Sequence, residues 1–149
     1  MSNYQGNRQQ SHQGKPQNNS VPVYQVLSWP ELKDRYQKEA ERLMKDFKNG
    51  SFRGLTTSKI RNLLSMVMDT YNDVVLQPEL TAKDKDQIQY LIVRMAYESG
   101  RDRDVKSFVD GCGLIKYADK IEGNKENFIT FTRYFESLVA YHRYYGGSD

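Results

Sequence analysis

The sequence predicts an all-α protein, a compact bundle of five to six helices behind a disordered N-terminal tail. Three observations carry that prediction. Apolar residues recur every three or four positions in separate windows, which puts them on one face of a helix. No run alternates apolar and polar residues as a half-buried strand does, and no internal repeat is present. Proline and glycine fall between the periodic windows, at Pro78, Gly100, the "GCG" of residues 111–113 and Gly146–Gly147, where they punctuate helices. At 149 residues the chain suits one domain, assigned to residues 28–149.

Residues 1–27 have no acidic side chain, two basic ones (Arg8 and Lys15) and mostly Gln, Asn, Ser and Gly. Such a stretch buries too little apolar surface to offset its ordering entropy, so it is read as a disordered tail. It is either without function or a weak nucleic-acid-brushing arm.

Order is expected from "SWPEL", where Ser28 can cap a helix and Pro30 sits where a first-turn proline is tolerated. Leu32, Tyr36, Ala40, Leu43 and Phe47 then mark one apolar side, and "NGSFRG" (49–54) breaks the helix. A second helix begins at "LTTSKIRNLL" with Thr56 or Thr57 as its cap. Its stripe is Ile60, Leu63, Leu64, Val67, Tyr71, Val74 and Val75, and Pro78 ends it. Thr81 with Asp84 three residues on resembles a capping box for a third helix, which runs to about Ser99 with Ile88, Leu91, Ile92, Met95 and Ser99 inward. Gly100 is expected to stop it by taking positive φ. A shorter helical stretch bends at "GCG". The last helix starts near Asn124, carries Phe128, Phe131, Phe135, Leu138, Val139 and His142 down one side, and ends at Gly146–Gly147.

Composition narrows the function classes. One cysteine leaves no internal disulfide framework, and two histidines leave little for a metal, so a reducing interior is expected. No segment approaches the ~20 apolar residues of a membrane span, so no membrane partner is expected. The Gln/Asn-rich start lacks the apolar core of a secretory signal. These features read as a cytoplasmic protein. A net charge of +3 with a pI near 8.9 permits a polyanionic partner without requiring one.

Catalytic constellations are not evident. Cys112 sits between two glycines with no histidine close in sequence, and reads as a packed or flexible cysteine. His142 lies in the phenylalanine stripe and reads as an edge-of-core residue. Asp84 and Asp86 alternate with Lys83 and Lys85, as on a solvated helix start. Neither metal-ligand spacing nor a phosphate-cradling glycine loop is found, so no cofactor, no metal and no enzymatic activity are expected.

Basic residues interleaved with aromatics remain. Between Lys45 and Arg61 there are five cations (Lys45, Lys48, Arg53, Lys59, Arg61) against Asp46 alone, a local charge of +4. The segment is either a solvated loop or an anion-facing one, and the helix start within it adds its dipole. On the third helix, Tyr90, Arg94, Tyr97 and Arg101 share a face at i, i+4, i+7 and i+11, opposite Ile88, Ile92 and Met95. Tyrosine with arginine suits base stacking and phosphate contact. Tyr97 is expected instead to pack its ring in the bundle, and Arg94 stays open between the two roles.

In "YESGRDRDVKSF" (97–108), Arg101 and Arg103 alternate with Asp102 and Asp104. Asp102 falls where an N-cap belongs and Asp104 in the first turn after it, so both carboxylates are expected to serve the helix start. Arg101 and Arg103 would then be free at the corner between helices.

Three segments together, "LTTSKIRNLLS" (55–65), "YESGRDRDVKSF" (97–108) and "FTRYFESLVAYHRYYGG" (131–147), resemble the Csm small-subunit family of type III-A CRISPR–Cas effector complexes. The resemblance covers about residues 53–147. It departs at Ser99 and Ser137, where the family tends to have Ala. It implies a non-catalytic helical subunit present in several copies, beside other Csm subunits, helping to form the groove for guide RNA and target RNA. Target cleavage belongs to the backbone subunits, and DNA cleavage and cyclic oligoadenylate synthesis to the large one. Lys59, Arg61 and Arg101 match the family's basic positions, while Arg53, Arg94, Arg103 and Lys106 join the candidate RNA-binding set from charge placement. A helical adaptor contacting only protein is the alternative.

Overall fold

The computed structural model describes residues 23–50 and 52–149. Six α-helices follow one another among them: α1 (Trp29–Met44), α2 (Thr57–Val74), α3 (Ala82–Arg101), α4 (Arg103–Gly111), α5 (Leu114–Asp119) and α6 (Lys125–Tyr144). A 3₁₀ turn at Phe47–Asn49 follows α1. The described residues contain no strand, and the all-α prediction holds. No helix among them is long and apolar enough to cross a membrane.

The helix starts are set locally. At α1 the Ser28 hydroxyl accepts from the Glu31 N–H while the Glu31 carboxylate accepts from the Ser28 N–H, satisfying two groups a bare helix end would leave open. Thr81 and Asp84 form the same reciprocal pair at α3. Asn124 caps α6 by accepting from the Asn127 N–H at 2.9 Å.

α6 is the central element, packed most extensively on α1 and also on α2 and α5. Phe128, Phe131, Phe135, Leu138, Val139 and His142 are buried as the stripe predicted. Thr130, Thr132 and Tyr134 are buried too, so α6 is enclosed beyond a single face, as a helix surrounded by others must be. Phe135 meets both Phe108 of α4 and Phe131 edge-on at ring separations of 6.1 Å, a geometry the aromatic quadrupole favours.

Four expectations are corrected. The tail was bounded at residue 27, but residues 23–27 form a strap outside any helix and Tyr24 is buried. The Tyr24 hydroxyl donates to Glu39 Oε2 at 2.7 Å and lies 2.8 Å from the Tyr117 hydroxyl, which also accepts from the Leu27 N–H. Burial alone would raise the Glu39 carboxyl; bonds from Arg42 and Tyr24 bring it below the usual carboxylate range. Gly113, at φ +67°, admits the Tyr24 ring, since a Cβ there would lie 2.5 Å from it. The expectation for residues 1–22 lies outside the described residues.

The second correction is Gly100. α3 runs through it to Arg101, and its φ is not positive. The stop comes from Asp102, whose extended backbone (φ −141°, ψ 115°) leaves α3 and opens α4 in one residue. The third is Tyr97, which is 56% exposed and therefore turned outward rather than packed. Val75, placed in the α2 stripe, lies just past the helix and is also exposed.

Candidate nucleic-acid interface

The α3–α4 corner is built on Asp102. Its Oδ1 accepts from the N–H groups of Asp104 at 2.9 Å and Val105 at 3.3 Å, the capping role its position suggested. Lys59, in the first turn of α2, reaches across to Asp104 Oδ2 at 2.7 Å and Asp102 Oδ2 at 3.5 Å. Burial opposes ionisation of Asp102, but the two backbone N–H bonds and Lys59 hold its carboxyl below the usual range. The bond to Asp104 raises the Lys59 ammonium above its ordinary value. Gly54 lies against Asp104 so closely that a Cβ would sit 2.6 Å from Oδ1. The starts of α2 and α4 therefore meet over two carboxylates, and Lys59 is engaged inside the cluster.

The aspartates do not hold the arginines. Arg101, expected to be free like Arg103, instead pairs its Nε with Glu98 Oε1 at 3.0 Å, one helical turn back, and Arg94 Nη2 pairs with Glu98 Oε2 at 2.6 Å. Both guanidinium groups also lie over the outward Tyr97 ring, at 5.1 Å for Arg94 and 6.0 Å for Arg101. One carboxylate thus serves two arginines, and the patch keeps net positive charge. Arg103 and Arg53 are exposed and form no ion pair among the described residues. Arg53 directly precedes Gly54 and Arg103 directly precedes Asp104, the two residues of the glycine–carboxylate contact. Lys106, three residues beyond Arg103, pairs with Asp110 at 3.1 Å on its own helix, both side chains exposed.

Arg61 stands apart from this group. Its Nη2 faces Asp149 Oδ1 at 3.4 Å, and the same oxygen takes Arg143 Nη1 at 2.8 Å. Arg143 was absent from the candidates although it lies within the quoted "YHRYYGG" motif. Arg133 was also missed: its Nη2 donates to the Tyr71 hydroxyl at 2.9 Å and its guanidinium lies 5.2 Å from that ring. Arg143 and Arg133 both sit on α6, whose apolar stripe drew the reading away from its polar edge.

His142 is enclosed. Its Nε2 lies 3.0 Å from the Leu55 carbonyl, so Nε2 carries the proton, and Nδ1 is left to accept from the Thr57 hydroxyl at 3.3 Å. Cys112 is fully buried and burial pushes its thiol well up.

Residues 31–148 match the family Csm2 Type III-A. The chain is 38% identical over 102 residues to the CRISPR system Cms protein Csm2 of Enterococcus italicus, covering 66% of this chain and 73% of that one. It is 35% identical over 122 residues to the protein of the same name from Mycobacterium tuberculosis, covering 79% and 97% of the two chains. The Streptococcus thermophilus relative is 34% identical over 124 residues, with 83% and 98% covered. The family match takes in all six helices from the first turn of α1 onward, and three relatives agree with it: this chain belongs to the Csm2 type III-A family, the small subunit of type III-A CRISPR effector complexes.

Proposed function

We propose that this chain acts as a non-catalytic, RNA-contacting subunit, helping to hold guide RNA and target RNA in the interference groove for antiviral defence in the prokaryotic cytoplasm. It works beside other Csm subunits and further copies of itself. The observation that carries this reading is the division of charge at the α3–α4 corner. Asp102 caps α4, Asp104 takes Lys59, and Arg53 and Arg103 remain exposed beside two helix starts. Arg94 and Arg101 on the Tyr97 face, with Lys106 along α4, extend the cationic surface, and Arg61 contributes from α2. Phosphate contacts of this kind position a strand without reading its bases.

Binding of the purified chain to two unrelated single-stranded RNAs of equal length tests this. Both should bind alike, and Arg53→Ala/Arg103→Ala should weaken both to the same degree. Discrimination between the RNAs, or no effect of the double change, would count against the reading. The second reading is a helical adaptor that touches only protein. It is favoured by the outward Tyr90, Val93 and Tyr97 of α3, all more than half exposed. Under it, association with neighbouring subunits would depend on these three residues and RNA binding would be absent.

A further inference from the structure

α2 begins without a side-chain cap of its own, since Thr56 makes no capping bond. The chain beyond α6 takes that place. The Thr57 N–H donates to the Ser148 carbonyl at 2.8 Å. The fold-back depends on two glycines. Gly146 has φ +103°, and Gly147 presses on the His142 ring, where any Cβ would collide with the imidazole and the His142 carbonyl. The Gly147 N–H closes the turn onto the His142 carbonyl at 2.8 Å. His142 is itself fixed by Leu55 and Thr57, so the path of residues 146–148 is held by backbone bonds and a buried ring.

This path delivers the Asp149 carboxylate between two guanidinium groups from different helices. Its Oδ1 lies 2.8 Å from Arg143 Nη1 and 3.4 Å from Arg61 Nη2. The three side chains are 65%, 50% and 60% exposed respectively, so water competes for every contact. An exposed pair of this kind favours its bound form by no more than about fivefold. Two arginines converging on one acceptor form a site that also fits a phosphate oxygen, because guanidinium recognises both oxyanions through the same paired donors. The ligand now seated there is the chain's own and is weakly held.

We propose that Arg61 and Arg143 form a subsite for the RNA phosphodiester backbone, and that the Asp149 carboxylate is its built-in competitor, displaced when RNA binds. This rests on the RNA-contact reading. Release of the Asp149 side chain leaves the Ser148 and Gly147 backbone bonds in place, so the competitor can leave without unfolding the start of α2. The arrangement lowers affinity for short or poorly seated RNA while leaving the full site available to a strand held by other contacts.

The test uses the full chain and a 30-nucleotide polyuridine RNA, followed by fluorescence anisotropy. Asp149→Asn should bind about two- to fivefold more tightly than the unaltered chain. Asp34→Asn is the charge-matched control. It lies next to the Lys33–Glu126 pair at the opposite end of α6 and should change affinity less. In the Arg61→Ala/Arg143→Ala background the gain from Asp149→Asn should vanish, and thermal melting should show every variant folded. If the unaltered chain binds RNA with salt dependence but Asp149→Asn only matches the control, the competitor proposal fails and the RNA reading stands. A gain that persists without both arginines overturns the subsite in the same way. If no variant binds RNA, both fall together.

Discussion

Lys59 Nζ lies 2.7 Å from Asp104 Oδ2, joining the first turn of α2 to the first turn of α4. A lysine in a basic segment thereby becomes an internal tie. Lys59→Ala should lower the melting temperature modestly, because the ammonium is one-third exposed and solvent screens the pair to about 0–1 kcal/mol. Loss of Asp102 should cost more, ~0.5–2 kcal/mol, since Asp102→Ala removes a cap as well as a partner. Neither change should flatten the salt dependence of RNA binding as far as loss of an unpaired arginine does. The sign with pH follows from the shifts. The Asp102 contribution is present above the ordinary carboxylate range and is lost as pH falls through its lowered value. The Lys59 contribution is present at neutral pH and is lost as pH rises through its raised value. Thermal melts of both variants across pH check this.

Tyr24 ties the strap to α1 and α5, and the truncation boundary should report it. Removing residues 1–22, whose composition offers little to bury, should leave the melting transition unchanged. Removing residues 1–27 should lower it clearly. Tyr24→Phe alone should cost about 1–3 kcal/mol, the scale of a hydrogen bond to a carboxylate. Chemical denaturation of the three proteins measures the steps.

Phe135 is fully buried between α4 and the rest of the α6 stripe. Phe135→Ala should cost about 3–5 kcal/mol, a large share of the ~5–15 kcal/mol typical of a domain. A urea midpoint close to that of the unaltered chain would place this face outside the core.

His142 couples the C-terminal fold-back to pH. Burial lowers its affinity for a proton, with Arg143 adding repulsion, while the bond to the Leu55 carbonyl opposes the shift only in part. A histidine that stays neutral when folded loses stability as pH falls through the ordinary value of about 6.5, because the unfolded chain takes up the proton first. Melting temperature should therefore drop between pH 7.5 and pH 5.5. His142→Gln, which cannot take up that proton, should flatten the drop.

What the sequence made legible was local. Ser28 as a cap, Thr81 with Asp84 and Asp102 at the head of α4 are signals contained within three or four residues, and each forms as read, with Glu31 completing the first as a box the reading had not included. The α6 stripe was equally plain because a 3.6-residue period needs no partner to be seen. Features joined across the chain were hidden. Tyr24 looked like part of a polar tail because its partner Tyr117 is 93 residues away. Arg61 and Asp149 are 88 residues apart, and Lys59 and Asp104 are 45 apart. At Gly100 the glycine rule lost to a stronger neighbour, since Asp102 could end one helix and cap the next. The candidate cations were identifiable by type, and the pairs of Arg94 and Arg101 with Glu98 and of Lys106 with Asp110 stand at helical spacing, but those of Lys59 and Arg61 depended on contacts no spacing encodes.

The central claim is that Arg53 and Arg103 meet RNA phosphates, and the slope of log K against log salt for single-stranded RNA tests it most directly. Each phosphate contact contributes about −0.7 to that slope. Arg53→Ala/Arg103→Ala should therefore flatten it by about 1.4 with helicity and melting temperature unchanged. An unaltered slope accompanied by a lowered melting temperature would show that these arginines hold the bundle together and would contradict the account.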